Sequence, residues 1–122
     1  MTKHNLERLF FVVAAIVAVG VMAATIRFEV RMAKQKTLFY QLQALRTSVN
    51  LFKSIVKRNP ASFQDLVEGE FSFPGEGFRR RYVEEVPDRD DNGDLVDPFG
   101  NPYVYNPGTG WLRSSTWGYE LW

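Results

Sequence analysis

The hydrophobic and polar positions of this chain divide it into three stretches with different periods. From Leu9 to Ile26 eighteen residues run without a charge, bounded by Lys3 and Arg8 on one side and by Arg27, Arg31, Lys34 and Lys36 on the other. An α-helix of that length rises about 27 Å, close to the ~30 Å hydrocarbon core of a bilayer. The pattern predicts a short tail over residues 1–8 and a transmembrane helix over 9–26. A core helix is disfavoured, because roughly 100 remaining residues are too few to surround such a run. A cleaved signal peptide would need a small-residue site followed by polar mature sequence; Ala23 and Ala24 are small, but helix-forming sequence continues directly.

Beyond Ile26 the period changes. Neither Pro nor Gly occurs between residues 21 and 59, and Leu38, Leu42, Leu45, Val49, Phe52 and Val56 follow a 4-3-4-3-4 spacing. That is one face of a helix, widened by Leu51 and Ile55. Asn59-Pro60 stops it, since the residue before proline avoids helical angles. An amphipathic helix over 27–58 is therefore expected to continue out of the membrane segment. Its stripe should pack on the chain's own C-terminal part, because three heptads are short for an independent coiled coil. Phe39 and Tyr40 are read as packing residues.

Residues 59–122 carry short, punctuated elements. Ala61 to Val67 reads as a helix capped by Ser62, with Asp65 in its first turn. Phe71, Phe73 and Phe78 lie among Gly and Pro and are expected to anchor an irregular loop. Arg80 to Pro87 is read as a strand. Tyr103–Tyr105 and Trp111–Arg113 are the arms of a β-hairpin turning at Pro107-Gly108-Thr109-Gly110. Trp117, Tyr119 and Trp122 are expected to seal the sheet against the helix. No internal repeat is read. The expected class is α+β: a long N-terminal helix packed on a small antiparallel sheet.

Composition narrows the chemistry. There is no cysteine, and the one histidine, His4, precedes the apolar run. A thiol, a Ser-His-Asp constellation and a multi-histidine metal site are thereby disfavoured, and no enzyme is expected. Residues 1–58 hold ten Lys/Arg and two Asp/Glu, whereas 59–122 hold five and twelve. Opposite halves of this kind attract one another within a chain or between copies. The basic triplet Arg79-Arg80-Arg81 has acidic flanks and no interleaved stacking platform, so nucleic acid is not an expected partner.

The densest local signal is "DRDDNGDLVDPFGNPY", Asp88 to Tyr103. Asp88, Asp90, Asn92 and Gly93 match the first, third, fifth and sixth positions of a calcium loop, with Leu95 at the eighth. The twelfth position, which should be a bidentate acid, is Phe99. Asp88, Asp90, Asn92, Asp94 and Asp97 are thus candidate ligands for a structural Ca²⁺; the alternative is an acidic turn held by its own side-chain hydrogen bonds. The following run, Asp97-Pro98-Phe99-Gly100-Asn101-Pro102-Tyr103, reads as a packed corner. Asp97 caps it, Pro98 opens it, Phe99 anchors it and Gly100 takes a left-handed angle.

This Asp-Pro-aromatic-Gly-Asn-Pro-Tyr run resembles the type IV pilin-like proteins, most nearly the major pseudopilin of type II secretion systems. The segment Lys57 to Val67 and the hairpin Tyr105 to Thr116 are similar to the same family. The likeness spans about residues 9–122. It implies a single-pass protein of the bacterial inner membrane, with a cytoplasmic N-terminus and a periplasmic domain over 59–122. It further implies a structural role in a secretion or pilus filament, with other pilin-like subunits and assembly proteins as partners. Assembly would run through Leu9, Phe10, Phe11, Val12, Val13, Ile16, Val17 and Gly20. The chain departs from the family before the apolar run: "KHNLERLFFVV" lacks the glycine at which prepilins are cut. Phe11 stands where the family's register glutamate is expected, which leaves Glu7 as the nearest acid. An unprocessed, membrane-anchored accessory module that never enters a filament is the alternative.

Overall fold

The computed structural model describes residues 2–122 and contains six elements. They are α1 (Lys3–Val56), α2 (Phe63–Glu68), β1 (Glu70–Phe71), β2 (Arg80–Arg81), β3 (Tyr103–Asn106) and β4 (Trp111–Ser114). The α+β class is as the sequence suggests. Two compact units divide the chain between Lys34 and Gln35, and α1 contributes to both.

The first unit is helix alone. Every described residue up to Lys34 is exposed, including the whole uncharged stretch. This stretch is long and apolar enough to cross a membrane. A signal sequence has the same length and composition.

In the second unit the stripe on α1 is the floor of the core. Leu38, Leu42, Leu45, Val49 and Phe52 are buried together with Leu66 and Val67 of α2, Phe71, Tyr82, Val83, Leu95, Tyr103, Leu112 and Tyr119. The stripe stops one position early: Val56 and Ile55 are 38% and 39% exposed, contrary to expectation. The reason lies at the helix end. Lys57 adopts φ 68°, a left-handed angle that unwinds the last turn. Its N–H still donates to the Lys53 carbonyl at 2.9 Å. Pro60 then bars any continuation, so the last apolar pair has no partner layer above it.

Ser62 caps α2 as anticipated, accepting from the Asp65 N–H at 3.1 Å. The hairpin also forms, with Tyr103 opposite Ser114 and Asn106 opposite Trp111. At its turn the Asn106 carboxamide oxygen accepts from Gly108 N–H, and the Asn106 carbonyl accepts from Gly110 N–H at 2.8 Å. Gly110 has φ 73°, a left-handed angle that favours glycine, and a Cβ there would also push the Asn59 carboxamide, 2.9 Å away, aside.

Several expectations need correction. The strand read over Arg80–Pro87 shrinks to Arg80–Arg81, paired with Glu70–Phe71. Tyr82 and Val83 are both buried, and consecutive inward side chains are incompatible with strand alternation. Phe71 is in the core, but Phe73 and Phe78 are 47% and 57% exposed. Phe39 and Tyr40 are exposed and meet each other edge to face, 5.9 Å between ring centres. Of the last three aromatics only Tyr119 seals the core: it stacks on Phe99 at 5.0 Å, while Trp117 is 89% exposed.

Candidate functional site

The aspartate stretch turns out to be a tandem repeat of one seven-residue unit, which the sequence reading missed. In the first copy Arg89 bridges Leu95; in the second Val96 bridges Pro102. Inside each bridge an aspartate opens a tight loop. Asp90 N–H donates to the Asp94 carbonyl and Gly93 N–H to the Asp90 carbonyl; likewise Asp97 N–H donates to the Asn101 carbonyl and Gly100 N–H to the Asp97 carbonyl. The glycines carry matching left-handed angles, φ 82° and 85°. The aspartate side chains repeat as well. Asp90 Oδ1 accepts from the N–H groups of Asn92 and Asp94 at 3.0 and 2.9 Å. Asp97 Oδ1 accepts from those of Phe99 and Asn101 at 2.9 and 3.0 Å. The signal was present as Asp-x-x-Gly at a seven-residue offset, in which side chains differ while the turn requirement recurs.

This geometry shows how the candidate ligands are held in the turns. The alternation that imitates a calcium loop is produced by two Asx-type turns. Asp97 is only 3% exposed, and both its oxygens are committed. Oδ2 accepts from Ser114 Oγ at 2.5 Å and from Thr116 Oγ1. It is therefore withdrawn from the exposed Asp88 and Asp94 and the half-buried Asp90, with which a shared cation site was anticipated. Among the described residues no three His, Cys, Asp or Glu side chains are grouped to hold a metal ion.

The two copies differ in surroundings. The first lies at the surface, where Arg89 reaches the Gly93 carbonyl at 2.7 Å and Gln64 Oε1 at 3.1 Å. The second is the packed corner inferred for Asp97 to Tyr103. Asn101 Nδ2 donates to Thr116 Oγ1 at 2.9 Å, and Thr116 N–H donates to Ser114 Oγ at 3.0 Å, so the carboxylate sits in a closed polar network. Four donors offset its charge, as charge-assisted hydrogen bonds permit. Pro98 and Phe99 are half-buried around it, Gly100 is exposed, and Pro102 precedes β3.

The corner is tied to α1 through the hairpin. Tyr103 Oη donates to Gln41 Oε1 at 2.5 Å, and Tyr105 Oη donates to the Pro60 carbonyl at 2.7 Å. Burial, with the negative charge of Asp97 second, pushes the Tyr103 phenol well above its ordinary range. Arg46 donates through Nε to the Leu112 carbonyl at 3.0 Å and through a terminal nitrogen to the Trp122 carbonyl. Its guanidinium lies 3.9 Å from the centre of the Trp111 ring. Nothing in the local sequence announced this clamp.

Beside the tandem turns, Phe63, Gln64, Gly93, Asp94, Leu95, Pro102 and Tyr103 line an open hollow of about 290 Å³. It holds one carboxylate and no base beside a nucleophile. In the first unit the candidate assembly residues Leu9, Phe10, Phe11, Val12, Val13, Ile16, Val17 and Gly20 all lie exposed on α1, as does Glu7. Neither protein families, nor curated proteins, nor solved structures yield a match to this chain.

Proposed function

We propose that this chain is a structural, non-catalytic, pilin-like subunit of a periplasmic filament serving secretion or a pilus. In this reading residues 9–26 anchor it in the bacterial inner membrane, with the N-terminus cytoplasmic and residues 59–122 periplasmic. Assembly exchanges lipid contacts for helix contacts between copies or related subunits, through Leu9, Phe10, Phe11, Val12, Val13, Ile16, Val17 and Gly20. The observation that carries the reading is a pairing on one chain: a fully exposed apolar helix, and a small domain whose aspartate cluster is spent on turns. Leu, Val, Phe and Ile without charge fit a bilayer or a helix bundle and little else.

The chain has no native cysteine, so single substitutions report cleanly. Val17→Cys, expressed in the membrane with the rest of a secretion or pilus apparatus, should give oxidised dimers. A strictly monomeric Val17→Cys protein would refute the filament role. A second reading, an anchored accessory module, is favoured by "KHNLERLFFVV", which lacks a glycine before the apolar run. The mass of the native N-terminus separates the two: cleavage within residues 1–12 supports filament entry, and an intact start supports the accessory role.

A further inference from the structure

One surface of the second unit is left over by everything above. The β1–β2 ladder sets Phe71 opposite Arg80 and raises the loop between them. Along this loop Phe73 and Phe78 are exposed, with the Arg80 guanidinium 4.9 Å from the centre of the Phe78 ring and 5.9 Å from that of Phe73. Arg80 is held in place by an ion pair with Glu76 at 2.8 Å. Arg79 and Arg81 flank it, exposed and without an ion partner. Exposed aromatics interleaved with arginine are the composition of interface cores, where a guanidinium stacked on a ring strengthens as water leaves.

The same unit carries the complementary charge. Glu85, Asp88, Asp91 and Asp94 are exposed, and none of them forms an ion pair among the described residues. Each of the two surfaces lacks what the other offers, although only Tyr82, Val83 and Glu84 separate them in the sequence. We propose that the Phe73–Arg81 loop of one copy docks on the acidic turn Glu85–Asp94 of a second copy. Phe73 and Phe78 make the apolar centre of that contact, and Arg79 and Arg81 meet the carboxylates at its rim. Because the two patches are different surfaces, each copy offers one to either neighbour, which builds an open row when the rotation does not close. The contact deepens the assembly reading and rests on it.

The experiment uses the full chain in the membrane, with cysteines at two exposed positions. Gly77→Cys lies on the basic loop with open space around it, and Asn92→Cys lies on the acidic turn. Copies carrying one or the other should form a mixed disulfide about tenfold more efficiently than Gly77→Cys with Asn50→Cys on α1. Arg79→Asp with Arg81→Asp in the first copy should abolish the excess. Asp88→Arg with Asp91→Arg in the second should restore it, which a merely structural effect would not do. No excess, or no restoration by the exchange, overturns the proposal. So does insertion of a fluorophore at Gly77→Cys into anionic vesicles that is unaffected by reversal of the aspartates, because it would assign the loop to lipid. Val17→Cys run in parallel keeps the two ideas apart. Helix cross-links without the mixed disulfide refute the docking alone, and the mixed disulfide without helix cross-links refutes the helix-mediated assembly alone.

Discussion

Replacement of Asp97 is the sharpest test of the corner. Its four hydrogen bonds join residues 97–101 to Ser114 and Thr116 in a site that is almost closed to water. Asp97→Ala leaves two backbone N–H groups and two hydroxyls without their acceptor. Bonds to a charged group are worth about 1.5–3 kcal/mol each, and an orphaned buried donor costs about 1–3 kcal/mol. The four share one acceptor and are not additive, and the hydroxyls can turn elsewhere, so a net loss of about 3–5 kcal/mol is expected. Against a total stability of ~5–15 kcal/mol this is a large fraction. Asp97→Asn preserves Oδ1 for both backbone donors and places an NH₂ where Oδ2 faced the hydroxyls. Ser114 and Thr116 can each reverse to accept, so the cost falls to about 1–2 kcal/mol. Denaturant unfolding of the full chain in detergent, followed by tryptophan fluorescence, measures both at constant m-value. An alanine variant within about 1 kcal/mol of the parent, or an asparagine variant as damaged as alanine, would refute the network as the corner's support.

Other consequences follow from the same contacts. Burial raises the phenols of Tyr103, Tyr82 and Tyr105 above their ordinary value. The unfolded chain therefore releases these protons first, so stability is full below about pH 10 and declines as pH rises further. Tyr103→Phe should flatten that alkaline decline in a pH series of melts, and an unchanged slope would exclude Tyr103 as its main source. Arg46→Ala should cost about 1–2 kcal/mol, through the lost bond to Leu112 and the lost stacking on Trp111, and Arg46→Lys should restore little, since a point charge cannot do both. Full recovery by lysine in thermal melts would show that charge alone matters. Leu112→Ala, at a fully buried position between hairpin and helix, should cost about 2–5 kcal/mol. A loss under 1 kcal/mol in the same melts would mean that the site collapses freely. Excess Ca²⁺ or a chelator should leave the melting temperature of the full chain unchanged; a calcium-dependent rise would reinstate Asp88, Asp90 and Asp94 as ligands.

The parts of the fold that repeat over short distances were legible in the chain. Leu38 to Phe52 declared a helix face through their spacing, Ser62 declared a cap, and Pro107 to Gly110 declared a turn. What failed was whatever depends on a distant partner. Phe73, Phe78 and Trp117 have the same composition as Phe71 and Tyr119, yet only the latter find α1 beneath them. Asp90 and Asp97 belong to one motif, yet only Asp97 meets Ser114 and Thr116, seventeen and nineteen residues onward. Spacing alone did not show that Asp97 is turned into the corner, because an Asx turn and a cation loop use the same alternation of acids around a glycine. They differ in where the oxygens point, which spacing alone does not encode. The assembly proposed for residues 9–26 has no sequence signature beyond a lack of charge, which a bilayer and a helix bundle equally accept.

The order in which the core is made has a consequence for the chain during synthesis. The helix side of the core leaves the ribosome first, and its partners come much later: Gln35 waits 84 residues for Tyr119, and Arg46 waits 66 for Leu112. At about 5–20 residues per second that interval is roughly 3–17 seconds. For much of it the stripe from Leu38 to Phe52 lacks the cover that Leu95, Tyr103, Leu112 and Tyr119 give it, with only Leu66, Val67, Phe71, Tyr82 and Val83 already made. Nascent chains arrested before Leu112 should therefore be captured by chaperones or cut within residues 38–52 by added protease, and those arrested well beyond Trp122 on a C-terminal extension should not. Equal protease resistance in the two sets would mean that the stripe finds another shelter while it waits.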